Sequence, residues 1–189
     1  YVYNQNYTSN FIHCKIVNMI ITAGKFKGQK VTAPDENITR PTLSKVRMSI
    51  FNTLQALIDF DGSSFLDMYA GSGIMGLEAL SRGFSNVCAI EKNPKAAKII
   101  KANFQKFNPK PELIIGDSLK IAPKLKNKFD VIYIDPPYFS GIYENSLEAI
   151  KNISSNIVIL EHVTDVDFSD FELIKQKKYG DKFITFLRK

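Results

Sequence analysis

One short segment places an acid, two prolines and an aromatic residue directly after an apolar run. It reads FDVIYIDPPY and extends from Phe129 to Tyr138. The prolines fix their own φ angles and bias the preceding residue toward extended geometry, so the loop after the run is rigid. It would therefore hold Asp135 and Tyr138 in fixed positions at the carboxyl end of a strand, where open α/β sheets bind their ligands.

A second segment, FLDMYAGSGIMGLE from Phe65 to Glu78, changes from an apolar strand to a glycine turn and then to helical periodicity. Its glycines have the G-x-G-x-x-G spacing of dinucleotide-binding loops: Gly71, Gly73 and Gly76. Taken literally, this pattern makes Glu91 the acid that binds the ribose. Asp67 argues against a dinucleotide, because its charge would repel a pyrophosphate but attract a cationic amino group. The methionine end of S-adenosylmethionine carries such a group.

Other polar residues also follow apolar runs and should converge on the same edge of the sheet. We expect Asp67 and the backbone from Ala70 to Gly73 to hold the methionine part of the cofactor. Glu91 would accept both ribose hydroxyls, and Asp117 and Ser118 would contact the adenine. Each acid could instead be a helix cap or a surface charge. For Asp67 and Glu91 the position at the end of an apolar strand favours a binding role, because an unsatisfied buried carboxylate is costly.

The order of elements along the chain predicts the fold. Strands and helices alternate through most of the sequence, which is typical of a parallel sheet covered on both faces. The predicted strands lie at 65–70, 86–91, 112–115, 129–135 and 156–161, and the predicted helices at 94–107, 118–125 and 143–153. The segments 171–177 and 182–187 flank Tyr179-Gly180-Asp181 and should form a terminal antiparallel hairpin. The predicted fold is α/β: a Rossmann-like class I methyltransferase sheet, mostly parallel and closed by that hairpin.

The N-terminal part differs in composition from the rest. Residues 1–18 are rich in Tyr and Asn and precede a methionine, so we interpret them as a non-native or disordered extension. Residues 19–189 would be a single domain, in which a small hairpin and a helix from Ser44 to Ile58 (19–62) precede the catalytic core (63–189).

Basic residues are concentrated in two regions of the chain. Between Met19 and Arg47 there are four lysines and two arginines against two acids, and between Lys92 and Lys128 there are ten lysines against two acids. We expect five residues of the first region to contact RNA phosphates: Lys25, Lys27, Lys30, Arg40 and Arg47. An ordinary solvated surface is the alternative for both regions, and the second region is the other candidate RNA surface.

Overall composition narrows the class of protein. The chain has 189 residues, is 44% hydrophobic and carries a formal net charge of +6, with a pI near 9.2. This suits a folded domain with a polyanionic partner. Cys14 and Cys88 form no C-x-x-C pair or His cluster, which predicts neither a disulfide nor a metal site. No apolar stretch is long enough for a membrane span, so we expect a cytoplasmic protein, taken as a monomer.

Taken together, the motifs resemble a known family. IITAGKFKG, TRPT followed by KVR and FN, DMYAGSGIMGLEALSRG and IYIDPPY, in that order, are similar to the RsmD-type 16S ribosomal RNA guanine-N2 methyltransferases. The resemblance covers the chain from Met19 onward. It departs from the family pattern at Leu43-Ser44, where a polar pair is more usual, and residues 1–18 have no counterpart.

The resemblance implies an S-adenosylmethionine-dependent enzyme that methylates one guanine of 16S ribosomal RNA, with the RNA or the assembling small subunit as its partner. Asp135 and the carbonyl of Pro136 would accept hydrogen bonds from the amine, and Tyr138 would stack on the flipped base. An NAD-dependent oxidoreductase and a non-catalytic RNA-binding module are the alternatives. The oxidoreductase leaves Asp67 and the DPPY segment unexplained.

Overall fold

The computed structural model describes residues 17–34, 43–137 and 141–189 and shows a seven-stranded mixed sheet with a separate two-stranded hairpin. The hairpin consists of β1 (Val17–Ile20) and β2 (Lys30–Ala33). The large sheet contains β3 (Ser64–Asp67), β4 (Asn86–Glu91), β5 (Glu112–Ile115), β6 (Phe129–Ile134), β7 (Ser155–His162), β8 (Glu172–Tyr179) and β9 (Lys182–Arg188). Its strand order is β5-β4-β3-β6-β7-β9-β8, with β9 antiparallel to both β7 and β8. The predicted α/β fold and its closing hairpin are confirmed.

The described helices connect these strands and cover both faces of the sheet. They are α1 (Ser44–Gln55), α2 (Ile74–Ser81), α3 (Pro94–Phe104), α4 (Ser118–Ile121), a 3-10 turn (Ala122–Lys124) and α5 (Ile142–Ala149). Helices were predicted to extend three or four residues further at the ends of α1, α3 and α5 than they do, because apolar periodicity continues into the packed turns that follow them. None of the helices in the described ranges is long and apolar enough to cross a membrane.

The core consists of two apolar layers, one on each face of the sheet. One layer joins the hairpin, α1, α2 and α3 to side chains such as Phe65, Tyr133 and Ile184. The other joins α4 and α5 to side chains such as Leu66, Ile132 and Leu160. Alternation along each strand assigns neighbouring residues to opposite layers, so two residues of one strand separated by one position share a face.

The N-terminal hairpin is held to α2 by a buried ionic cluster. Glu78 is fully buried, and its carboxylate accepts hydrogen bonds from Thr22 N (2.8 Å), Arg47 Nε (3.2 Å) and Arg82 Nη1 (2.7 Å). Arg47 also donates to the carbonyl of Ile20 at 2.8 Å. Because removing one member of such a cluster leaves a buried charge without its partner, the cluster fixes α1, α2 and the hairpin as one unit.

The position of Arg47 contradicts the role that the sequence predicted for it. It was expected to contact RNA, but its side chain is only 1% exposed and forms an ion pair with Glu78. The sequence placed Arg47 among basic residues, and only the docking of α1 on α2 shows that its charge faces a buried acid. Arg40, assigned with it, lies outside the described residues. The predicted hairpin is confirmed, and its first strand begins at Val17, inside the segment interpreted as an extension.

Candidate functional site

The glycine turn between β3 and α2 is organised by Glu91, the last residue of the neighbouring strand β4. Oε2 of Glu91 accepts a hydrogen bond from the backbone N–H of Gly71 at 2.8 Å, and Oε1 accepts one from Asn93 N at 2.7 Å. The side chain is nearly buried, with 9% of the residue exposed. Each carboxylate oxygen has a second lone pair, so Glu91 can both hold the loop and accept a hydroxyl group from a ligand.

At Gly73 the packing of neighbouring side chains, rather than the close approach of a ligand, accounts for the glycine. Its φ of 78° lies in the left-handed region, and a Cβ there would come within 2.8 Å of the Phe104 ring and 3.1 Å of Ile100. Gly76 is similar, since a Cβ would meet Val87 at 3.0 Å. The turn therefore lets α2 start against α3 and β4, which holds the loop backbone in place.

Asp67, at the end of β3, is a buried carboxylate with incomplete hydrogen bonding. It is 1% exposed, and Oδ1 accepts a bond from Tyr69 N at 3.3 Å. Within the described ranges no hydrogen-bond partner lies near Oδ2. Burial, with smaller contributions from the charges of Glu91 and Glu161, raises the pKa of Asp67 to about 7. A cationic group placed beside Oδ2 would satisfy this atom and return the carboxyl group to its ionised form.

Asp117 and Ser118 make local contacts at the start of α4. Asp117 accepts hydrogen bonds from Leu119 N (3.1 Å) and Lys92 Nζ (3.0 Å), and the Lys92 bond is the main cause of its lowered pKa. Ser118 is buried, and its hydroxyl donates to the carbonyl of Met68. Asp117 therefore acts as the N-terminal cap of α4, as the helix-cap alternative expected. The Ser118 hydroxyl donates its proton to the backbone just after β3. Both residues still border the loop, and their contact with an adenine remains a prediction.

Tyr69 connects the glycine turn to α5. Ser146 Oγ donates to the carbonyl of Ile142 at 2.6 Å, so the 2.7 Å contact between Tyr69 and Ser146 has the tyrosine hydroxyl as donor. Burial of this ring raises the pKa of the Tyr69 hydroxyl. The contact ties the segment between β3 and the glycine turn to α5.

Asp135 lies just past β6, beside the end of β3. β3 and β6 are parallel neighbours with Asp67 opposite Tyr133, so Asp135 is two residues further along and on the same face of the sheet. Its side chain is 17% exposed and therefore partly accessible to solvent. Pro136 is buried and Pro137 is exposed. Tyr138 lies outside the described residues, so its stacking role stays a prediction.

Two residues near Asp135 were missed in the sequence. Glu161, near the end of β7, is fully buried, and Lys182, at the start of β9, donates to its Oε2 at 2.8 Å. The same ammonium is 3.8 Å from Oδ1 of Asp135. Glu161 ends the apolar run NIVILE just as Asp67 and Glu91 end theirs, so the signal that identified those acids was also available for it. No local pattern identifies Lys182.

The hairpin carries exposed basic residues on its strand β2 and on the turn between its strands. Lys25, Lys27 and Lys30 all face solvent. The backbone N–H of Lys25 bonds to Ser81 O at 2.7 Å, at the end of α2 remote from the glycine turn. α2 has eight residues and is thus about 12 Å long. The bond to Ser81 places the backbone of Lys25 at the end of α2 away from the glycine turn, and contact of the three lysines with RNA phosphates stays a prediction.

The arrangement fits the predicted cofactor. The unpartnered oxygen of Asp67 suits the ammonium of the methionine part, and the Glu91 carboxylate, one strand away, can accept a ribose hydroxyl. A parallel-sheet edge with these acids on adjacent strands is also where this class of fold binds nucleotides.

Comparison with known proteins agrees with this description. The family model described as Conserved hypothetical protein 95 matches residues 19–188. The chain is 34% identical over 148 residues to the ribosomal RNA small subunit methyltransferase D of Buchnera aphidicola, covering 76% of this chain and 75% of that protein. Methyltransferase D of Haemophilus influenzae is 33% identical over 135 residues, covering 69% of each chain.

Solved structures share the fold. A protein from Escherichia coli superimposes with a TM-score of 0.81 at 22% identity, covering 92% of this chain and 98% of that one. A tRNA (uracil-54, C5)-methyltransferase of Pyrococcus abyssi in complex with S-adenosyl-L-homocysteine superimposes with a TM-score of 0.66 at 17% identity, covering 91% of this chain and 44% of that one. Since the family model matches nearly the whole described chain, the protein belongs to the RsmD-type family of ribosomal RNA methyltransferases, whose fold is that of the class I S-adenosylmethionine-dependent enzymes.

Proposed function

We propose that the protein transfers a methyl group from S-adenosylmethionine to the exocyclic N2 amine of one guanine in 16S ribosomal RNA. The observation that carries the proposal is the placement of two different acids on adjacent parallel strands. Asp67 is buried with one oxygen unsatisfied at the end of β3, whereas Asp135 is partly exposed just past the neighbouring strand β6. The first acid suits the cationic end of the cofactor, and the second suits a neutral amine that donates hydrogen bonds.

When bound, the cofactor supplies a methyl group already activated on a sulfonium. The protein therefore has chiefly to position a weak nucleophile, whose lone pair is delocalised into the base. In the proposed mechanism Asp135 and the carbonyl of Pro136 accept the two amine N–H groups and direct the nitrogen lone pair toward the methyl carbon. The methyl group would pass to the amine with its C–S bond breaking as the C–N bond forms, and the proton released from the methylated amine would be accepted by the Asp135 carboxylate that holds it.

The choice of guanine rests on the hydrogen-bonding pattern of the base. Guanine presents N1–H and N2–H donors side by side, and an ionised carboxylate such as Asp135 can accept both. Adenine presents one donor and one acceptor there, which an amide side chain would match better. We assign Tyr138 to stack on the guanine base once that base has flipped out of its RNA helix.

The RNA contacts are proposed from charge. Lys25, Lys27 and Lys30 are exposed on the hairpin, and Arg40 precedes α1 in the sequence. Because Lys25 and Lys27 lie at the far end of α2, they would bind phosphates flanking the target rather than those beside the reacting base. Such contacts set affinity and register without reading the sequence.

Methyl transfer to unmodified small ribosomal subunits and to naked 16S RNA tests the proposal. The RNA is digested after reaction with labelled cofactor, and the modified nucleoside is identified by chromatography and mass spectrometry. We expect N2-methylguanosine at a single position. Label in adenosine or cytidine would contradict the choice of base, and no transfer to either substrate would contradict the proposal as a whole.

A thermal-shift titration separates this function from the oxidoreductase alternative. A ligand that binds only the folded state raises the melting temperature with its concentration. We expect S-adenosylmethionine and S-adenosylhomocysteine to stabilise the protein and NAD to leave it unchanged. Stabilisation by NAD alone would contradict the methyltransferase assignment.

A further inference from the structure

Four polar side chains form a connected cluster behind the proposed amine-binding acid. The buried Glu161 accepts the hydroxyl of Tyr133 on Oε1 and the ammonium of Lys182 on Oε2, the latter at 2.8 Å. The same ammonium is 3.8 Å from Asp135 Oδ1. Lys182 is 15% exposed at its side chain and Glu161 is 0% exposed, so the cluster is largely shielded from water.

The sheet register explains why these residues meet. Tyr133 lies opposite Ile159 on β7, and Glu161 lies opposite Ile184 on β9. Residues two apart on a strand share a face, so Asp135, Glu161 and Lys182 all lie on the face that is covered by α1 and α2. The reversal of β9 brings its first residue to the carboxyl edge of the parallel strands. A lysine from the last hairpin therefore reaches the catalytic edge, although it is about 47 residues from Asp135 in the chain.

The two distances give the lysine two different roles. At 2.8 Å the contact with Glu161 is a charge-assisted hydrogen bond, which anchors the ammonium. At 3.8 Å the contact with Asp135 is longer than a hydrogen bond, so it acts through charge. Burial, followed by the charges of Glu161 and Asp135, keeps the pKa of Tyr133 well above its usual value, so this residue remains a donor to Glu161.

We propose that Lys182 is a positioning residue for the methyl transfer, which holds Asp135 ionised and oriented so that it accepts two N–H donors of guanine and disfavours adenine. The inference rests on the proposed function. An opposite charge 3.8 Å from Oδ1 directly favours the ionised form of Asp135, and replacing Lys182 removes that charge whether or not Glu161 is ionised. A protonated Asp135 would donate at one position, which suits the edge of adenine.

Three variants separate this role from simple structural support. Lys182→Met removes the charge, Lys182→Arg keeps it, and the double change Lys182→Met with Glu161→Gln removes the charge without leaving a buried carboxylate at position 161. Lys175→Met, on the exposed surface of β8, is the matched control. Steady-state methylation of unmodified small subunits gives kcat and KM, calorimetry gives cofactor Kd, and melting gives stability.

We expect Lys182→Met to lower kcat about 10- to 100-fold, as displacement of an aligned reacting group does, with cofactor Kd little changed. Lys182→Arg should recover most of the loss. The double variant should melt close to the wild-type temperature yet keep the low kcat, and Lys175→Met should behave as wild type. Full activity in either Lys182→Met variant would overturn the inference, as would a low kcat that the double variant restores, because the lysine would then serve only to neutralise Glu161.

Base choice provides an independent readout. A 16S RNA in which 2-aminopurine replaces the target guanine keeps the N2 amine but presents an acceptor at N1. Wild type should methylate it much more slowly than guanine, and Lys182→Met should narrow that difference at least several-fold. An unchanged ratio would contradict the specificity role. If the wild-type enzyme methylates no RNA, the proposed function fails and the inference fails with it; a wild-type enzyme that is active but insensitive to Lys182 overturns only the inference.

Discussion

Replacing Asp67 by asparagine should stabilise the ligand-free protein more at pH 8 than at pH 5. The carboxyl group is 1% exposed, and burial raises its pKa from an ordinary 3.8 to about 7. Well below pH 3.8 the group is protonated in both the folded and the unfolded chain, so it carries no ionic penalty. Between pH 4 and pH 7 the unfolded chain releases the proton while the folded protein keeps it, and the free energy of unfolding falls as pH rises. Above pH 7 that loss is complete.

The size of the effect follows from the two pKa values. Each pH unit between them removes about 1.4 kcal/mol from the free energy of unfolding. Between pH 5 and pH 8 the loss for a group titrating at about 7 is therefore roughly 2 to 3 kcal/mol. Asparagine does not titrate, so Asp67→Asn should lack this loss. An unpaired amide N–H in the buried site adds a cost that is the same at both pH values and cancels in the comparison.

Urea unfolding followed by far-ultraviolet circular dichroism measures this difference, and the chain has no tryptophan for a fluorescence alternative. The stability change caused by Asp67→Asn is determined at pH 5 and pH 8. Asp165→Asn, at an exposed position, is the matched control and should show no such dependence. An equal change at both pH values for Asp67→Asn would refute the reasoning that burial controls this carboxyl group. The same variant should also weaken S-adenosylmethionine binding about 10- to 100-fold, as expected for loss of a hydrogen bond to a charged group.

The remaining predictions concern the amine, the base and the RNA. Asp135→Ala should abolish most methyl transfer while cofactor Kd stays within a few-fold, and a large loss of cofactor binding with turnover intact would contradict that role. Tyr138→Phe should retain activity and Tyr138→Ala should lose it if the ring stacks on the base; an inactive phenylalanine variant would instead implicate the hydroxyl. Neutral replacement of Lys25, Lys27 and Lys30 together should weaken RNA binding and flatten the salt slope of log K by about two. An unchanged slope would assign the RNA surface to the lysines between residues 92 and 128.

The sequence determined the features that depend on short stretches of backbone. Alternation of apolar runs and helical periodicity predicted the strand Asn86–Glu91 with its observed bounds, and the Gly180 turn predicted the closing hairpin. It also placed Asp67 and Glu91, whose binding roles stay predictions, at the ends of buried strands, where parallel sheets bind ligands. These inferences succeed since side-chain direction in strands and helices follows directly from residue spacing.

Only the tertiary structure decided which distant charges meet. The sequence predicted Arg47 to be a surface charge, but the packing of α1 on α2 buries it against Glu78. The hairpin lysines appeared close to the catalytic loop in sequence, yet the turn packs at the far end of α2. Lys182 reaches Asp135 because β9 runs antiparallel beside β7. Local patterns specify the face on which a residue lies, whereas the partner across that face depends on strand order and helix docking, which are set by burial of the whole core.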